Sequence, residues 1–136
     1  MITVQSKLTG QEHDFHMLKS QLEPYGFALG GNWEYTGGSL DCCLDGEKQT
    51  VWLRIPFHVV VGQLDPDARP EGALVKIGEP YVLRHLYREG DDPTADMNVV
   101  SGLVNQFQLP KNPDAEVKDH YVREAEALLR KIEAKL

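Results

Sequence analysis

The chain has 136 residues, 41% of them hydrophobic and 26% charged, a balance that suits one compact domain over residues 1–136 and leaves no room for two. Its 14 Lys and Arg against 21 Asp and Glu give a formal charge of −7, which argues against a binder of duplex nucleic acid or of an anionic membrane held by a general basic field. Two cysteines cannot staple a secreted mini-protein, the opening Met1 to Lys7 lacks a signal-peptide pattern, and no apolar run approaches the ~20 residues of a membrane helix, so a cytoplasmic protein is expected.

In chain order, Ile2 to Lys7 reads as an edge strand. Thr9 and Glu12 have the spacing of a capping box. Phe15, Leu18, Leu22 and Tyr25 then recur every three or four residues on one helical face, and Gly26 stops the helix just after Pro24. Phe27 to Tyr35 and Ser39 to Leu44 read as a hairpin around Thr36-Gly37-Gly38. The turn Asp45-Gly46-Glu47-Lys48 leads into the plainest signal of the chain: Val51, Leu53, Ile55, Phe57, Val59 and Val61 alternate with Trp52, Arg54, Pro56, His58 and Val60. This is a long central strand, and Pro56, which cannot donate to a ladder, predicts a bulge or an unpaired flank. Ala73 to Ile77 and Tyr81 to Tyr87 read as a second hairpin across Gly78-Glu79-Pro80. Residues 63–71 and 89–96 carry −2 and −4 of the charge amid proline and glycine, as solvated loops do. Asn105-Gln106-Phe107-Gln108 reads as a loop anchored by Phe107. A last helix starts at Asn112-Pro113 and buries Val117, Tyr121, Ala125, Leu128, Leu129 and Ile132.

Strands joined by short turns, flanked by two amphipathic helices, predict an α+β fold: an antiparallel β-meander sheet with both helices on one face. With the odd positions of the long strand inward, Phe27, Leu29, Trp33, Tyr35, Leu40, Cys42 and Leu44 join them. The last strand offers Tyr81, Leu83, His85 and Tyr87, without permanent charge, against Val82, Arg84, Leu86 and Arg88, so the first set is expected to face the core. The opposite surface would gather Asn32, Glu34, Asp41, Trp52, Arg54, His58, Lys76, Arg84 and Arg88.

Sites with a recognisable chemistry are few. The sequence has no phosphate-binding glycine loop, no Gly-x-Gly-x-x-Gly, no Gly-x-Ser-x-Gly and no His-Glu-x-x-His. Cys42 and Cys43 are neighbours and on a strand point to opposite faces, which suits one buried thiol and one exposed. His13 and His16 lie about 60° apart around a helix, yet no third ligand is anchored near them. Asp91, Asp92 and Asp96 lack the spacing of a calcium loop. No metal and no cofactor is therefore expected. His85 is read as a hydrogen-bonded core residue. The pairs Gly30-Gly31 and Gly37-Gly38, flanking Trp33 and Tyr35, are read as local twist and a tight turn in preference to a hairpin that closes over a ligand.

Four patterns in order, Gly30-Gly31-Asn32-Trp33-x-Tyr35, Trp52-Leu53-Arg54-Ile55-Pro56-Phe57, Val75-Lys76-Ile77-Gly78-x-Pro80-x-Val82-Leu83-x-His85-x-Tyr87, and Asn105-Gln106-Phe107-Gln108 with Pro110, resemble the YugN-like family of small proteins of Bacillus and its relatives. The resemblance spans nearly the whole chain. It implies a curved antiparallel sheet backed by helices, with a TATA-binding-protein-like topology, and no catalytic residue that could be carried over. Fold likeness alone is no warrant for DNA binding.

Two kinds of function are consistent with these residues. The favoured one is a non-enzymatic binding or assembly module that uses the open sheet face, with Trp52, Arg54, His58 and Arg84 holding a partner or a small anionic ligand. The other is a small enzyme in which His58 acts as general base or acid and Arg54 and Arg84 stabilise negative charge. An exposed Trp52 also predicts a homodimer, its arginines opposing Glu34 and Asp41 of the second copy.

Overall fold

Seven strands and two helices run through the residues that a computed structural model describes, 1–46, 48–66, 73–85 and 117–136. In chain order they are β1 (Ile2–Thr3), β2 (Glu12–Asp14), α1 (Phe15–Leu22), β3 (Phe27–Leu29), β4 (Gly37–Cys43), β5 (Val51–Val61), β6 (Leu74–Ile77), β7 (Tyr81–Arg84) and α2 (Asp119–Lys135), with a 3-10 turn at Glu23–Tyr25. The fold is α+β, and every strand pairing is antiparallel.

The long strand β5 is the centre, as its alternation predicts. Val51, Leu53, Ile55 and Phe57 are buried, while Trp52, Arg54 and Pro56 are half-buried and His58 is exposed. β4 pairs along one flank from Cys43 opposite Trp52 to Gly37 opposite His58. β3 follows beyond β4 as a short edge. Along the other flank β7 and β6 lie end to end, with Tyr81 to Arg84 opposite Arg54 to Val51 and Leu74 to Ile77 opposite Val61 to Phe57. They do not form the expected hairpin. Three residues, Gly78 to Pro80, span the stretch opposite Ile55 and Pro56, so one extra residue is inserted and the two strands are a single broken strand. Pro56 falls at this break, and its carbonyl accepts the Gly78 N–H at 2.8 Å. The ladder is therefore irregular where a missing donor does no harm.

That extra residue inverts the faces of the last strand. Val75 and Ile77 are buried opposite Val59 and Phe57, but past the insertion it is Val82, opposite Leu53, that enters the core. Tyr81 and Leu83 pair with Arg54 and Trp52 and turn away from the helices, and Arg84 pairs with Val51 on the helix side. The expected assignment of Tyr81, Leu83 and His85 inward and Arg84 outward is corrected on this ground: a one-residue slip turns every following side chain over. A second irregularity at Val60 does the same to the end of β5. Val59 is half-buried as expected, but Val61 is exposed.

β1 and β2 lie outside β7 and β6, so the N-terminal segment does supply an edge strand. Between them, Val4 and Leu8 turn into the core. α1 begins later than the capping box predicts. Glu12 is part of β2, Thr9 Oγ1 donates to the Gly78 carbonyl at 3.2 Å, and Asp14 is the cap, accepting the Met17 N–H at 3.1 Å. Strand pairing with β6 therefore displaces the first helical turn. Phe15, Leu18 and Leu22 are buried as predicted, the Phe15 ring packs 5.5 Å from that of Phe57, and the left-handed Gly26 ends the turn after Pro24. α2 begins at Asp119, and Asn112-Pro113 lies outside the described residues. Its stripe of Ala125, Leu129 and Ile132 is buried in the same cluster as α1 and the odd residues of β5, with Val117 beside it and Tyr121 and Leu128 at its margin. Both helices thus cover one face of the sheet.

α2 also holds the N-terminal segment. The Glu133 Oε2 atom accepts from Ser6 Oγ at 2.7 Å, from the Lys7 N–H at 3.0 Å and from Arg130 Nη1 at 2.7 Å. Burial opposes ionisation of this carboxyl, but these donors outweigh it and hold Glu133 below the usual carboxylate range. A carboxylate with a lowered folded pKa stabilises in full above its unfolded pKa, and the contribution is lost as pH falls through the folded value. Glu133→Gln is accordingly expected to lose about 1 kcal/mol at neutral pH. The gap from wild type should close below about pH 4, which urea titrations at both pH values measure. The inverted face of β7 is tested by Val82→Thr, which puts a hydroxyl into the core and is expected to cost about 1–3 kcal/mol; no change in urea midpoint would contradict the burial of Val82.

Candidate functional site

The helix-free face of the sheet is built in rows across the strands. One row runs from Ala28 through Asp41 and Arg54 to Tyr81. The next sets Cys43, Trp52 and Leu83 side by side, and another sets Gly37, His58, Lys76 and Glu12. Of the residues expected on this surface, Asp41, Trp52, Arg54, His58 and Lys76 are there. Asn32 and Glu34 are in the loop before β4, Arg84 is on the opposite face, and Arg88 lies outside the described residues.

Arg54 is the centre of its row. Its Nε donates to Asp41 Oδ1 at 3.0 Å and its Nη2 to Asp41 Oδ2 at 3.2 Å, a two-point contact that fixes both planes. Ser39 Oγ adds a bond to Asp41 Oδ1 at 2.9 Å, and Arg54 is also hydrogen-bonded to Tyr81. Burial alone would make the guanidinium easier to deprotonate, but Asp41 and Tyr81 overcome that and raise its pKa, so Arg54 is permanently charged. His85 is held below its ordinary value, first by burial and then by the charge of Arg54, and is neutral at pH 7.

Trp52 is half-buried, where full exposure was expected, and its indole N–H donates to the Gln49 carbonyl at 3.0 Å. Leu83 beside it is only 2% exposed. His58 lies four residues from Arg54, about 13 Å along the strand. It stands opposite Gly37, where a Cβ would come 2.7 Å from the Phe57 carbonyl; at Gly38 one would come 3.0 Å from the Trp33 Cβ. The glycine pair therefore permits close backbone approach and the packing of Trp33 within a strand, where a turn was expected. Tyr35, expected inward, is 62% exposed in the loop that replaces the outer half of the predicted strand.

The cysteines divide as predicted, Cys42 buried and Cys43 half-exposed. Burial raises the pKa of both thiols, helped at Cys42 by Cys43 and at Cys43 by the Asp45 carboxylate that its thiol faces, so neither is a thiolate at neutral pH. His13 is in β2 and bonded to Gln11, whereas His16 is in α1 and bonded to the Asp65 carbonyl at 3.1 Å, so the helical pairing of the two is not formed. Asp91, Asp92 and Asp96 lie outside the described residues. Among the described residues no group of three His, Cys, Asp or Glu is placed to hold a metal ion, and no helix is long and apolar enough to cross a membrane.

Arg84 lines a cleft of about 100 Å³ together with Asp45, Lys48, Thr50, Val51, Lys118 and Tyr121. The turn between β4 and β5 forms one wall. There the Asp45 carboxylate accepts the Thr50 N–H at 2.9 Å and the Thr50 hydroxyl at 2.6 Å. Burial works against its ionisation, but the bonds from Thr50 prevail and keep Asp45 below the usual carboxylate range. Lys48 was read only as a turn residue and Tyr121 only as part of the stripe of the last helix, because nothing local relates a hairpin turn to a helix start some 70 residues away.

The profile of the YugN-like family matches residues 3–136. The chain is 32% identical over 133 residues to the uncharacterized protein YugN of Bacillus subtilis (strain 168), covering 98% of this chain and 96% of that one. It is similar in fold to the crystal structure of an uncharacterized conserved protein YugN from Geobacillus kaustophilus HTA426, with a TM-score of 0.55, 21% identity and coverage of 98% and 99% of the two chains.

Gly30 tests the importance of the Asp41–Arg54 contact. A Cβ there would come 2.8 Å from Asp41 Oδ2 and 3.0 Å from Ser39 Oγ, and the carboxylate cannot retreat without releasing Arg54. At Gly31 a Cβ meets nothing within 4 Å. Gly30→Ala is therefore expected to destabilise by roughly 1–3 kcal/mol and Gly31→Ala by well under 1 kcal/mol, as read from urea midpoints.

Proposed function

The chain belongs to the YugN-like family, and from that premise we propose that it is a non-enzymatic binding module for a small ligand. One observation carries this reading. Arg54, the cation that a catalytic reading needs beside His58, is already held at two points by Asp41 and bonded to Tyr81. Its charge holds the sheet together and is not directed at a substrate. The other members of the expected group are apart from it, His58 by about 13 Å along the strand and Arg84 on the opposite face. A general base and its electrostatic partner must reach the same atoms, and these cannot.

One domain over residues 1–136, a cytoplasmic location and a TATA-binding-protein-like topology belong to the same proposal, without nucleic acid as a partner, because the chain carries −7. Homodimerisation through Trp52 loses its motive, since the indole is half-buried and its N–H is satisfied within its own turn. The sheet edges offered by β1, β2 and β3 are two or three residues long, too short to template a stable second sheet.

The test is a thermal-shift screen of the full chain against small metabolites, followed by mass spectrometry of each compound that raises the melting temperature. At least one compound is expected to stabilise the protein and to be recovered unchanged after prolonged incubation. Conversion of that compound, abolished in His58→Ala, would establish the enzymatic alternative instead.

A further inference from the structure

We propose that residues 2–8 form a strap that lifts from the sheet as a unit while the rest of the fold stays closed, with Glu133 as its latch. The strap lies along the outer edge of β7, where Ile2 and Thr3 pair with Val82 and Tyr81 and the Val4 N–H donates to the Pro80 carbonyl at 2.9 Å. Val4 and Leu8 are its two buried residues, while Ile2, Thr3, Gln5 and Lys7 are exposed. A two-residue strand and two apolar plugs are a weak attachment, and terminal segments with few buried contacts belong to the low-stability end of a native structure.

The latch comes from the other end of the chain. The Glu133 side chain, only 9% exposed, collects Ser6 Oγ, the Lys7 N–H and Arg130 Nη1 on a single oxygen, and Arg130 Nη2 also reaches the Gln5 carbonyl at 3.3 Å. Ser6 Oγ in turn accepts the Leu8 N–H at 3.1 Å, so the same contact fixes the turn that directs Leu8 into the core. A nearly buried carboxylate is tolerated only with its donors in place, and Ser6 and Lys7 of the strap supply two of them. Lifting the strap removes these donors and turns Glu133 out to water in one movement, so the open form strands no buried charge.

The pivot lies at Gly10, which has φ +89°. There the Gly10 N–H donates to the Ile77 carbonyl at 2.7 Å and the Ile77 N–H to the Gln11 carbonyl at 2.9 Å, which pins the chain to β6. A bend at this left-handed glycine moves the strap and leaves β2 and α1 in place. Opening uncovers the backbone edge of Tyr81 and Val82 together with the apolar seats of Val4 and Leu8, a surface that the closed protein does not display.

Native-state hydrogen exchange of the full chain at low urea concentrations tests the strap. The Val4, Lys7 and Leu8 amides, each hydrogen-bonded in the closed form, are expected to show protection factors at least about tenfold below those of the best-protected amides of β5, with a shallower dependence on urea. Glu133→Gln should lower the protection of the strap by about a further fivefold without changing its urea slope. Ser6→Ala, which removes one donor from the same oxygen, should act in the same direction more weakly, and it serves where Glu133→Gln weakens the whole fold. Strap amides that share the protection and urea slope of β5 would show that the segment opens only when the protein unfolds, and would overturn the proposal. A strap that opens separately but keeps its protection in both variants would overturn the role of Glu133 as its latch.

Discussion

Everything in this fold is placed by the pairing of β5 on both of its flanks. Eleven residues, Val51–Val61, set the pleat, and each neighbouring strand inherits its faces from the register against them. The helices follow: Phe15, Leu18 and Leu22 of α1 and Ala125, Leu129 and Ile132 of α2 join one cluster with Leu53, Ile55 and Phe57. Because one face of the strand is sealed in this way, a slip of one residue would expose the whole apolar set, so the register is strongly specified.

The two insertions beside β5 have opposite effects and leave the sheet in step. The extra residue between Ile77 and Tyr81 displaces the partner strand by one, and the extra residue at Val60 displaces β5 by one in return. Between them lies the regularly paired stretch from Phe57 to Val59, with Pro56 at the first insertion. The consequence is chemical as well as geometric. Turning β7 over removes Arg84 from the company of Arg54 and His58 and brings it to the helix side, at the end of the sheet where α2 begins and where Lys48 and Lys118 meet it.

The two kinds of cation in this molecule are thus used differently. Arg54 is held at two points by Asp41, which Ser39 also bonds, and serves the sheet, so its charge is answered within the fold. Arg84 is on the helix side of the sheet, where it lines a cleft with Lys48, Lys118 and the Asp45–Thr50 turn.

Much of this was legible in the residues themselves. Alternation from Val51 to Phe57 identified the central strand and its buried side, the helical spacing of Phe15, Leu18 and Leu22 and of Ala125, Leu129 and Ile132 identified the two packed stripes, and Pro56 marked the irregular point of the ladder. These are local consequences of backbone periodicity, which neighbouring residues encode completely. The last strand was misread because Gly78-Glu79-Pro80 has the composition of a hairpin turn, and only the partner strand decides whether such a segment reverses the chain or merely adds a residue to it. The start of α1 was misread for a similar reason, since β6 claims Glu12 to Asp14 that local capping would give to the helix. The cleft was invisible for the strongest reason: Lys48, Arg84 and Lys118 come from three distant parts of the chain, and their meeting depends on the parity of a single inserted residue, which tertiary pairing alone determines.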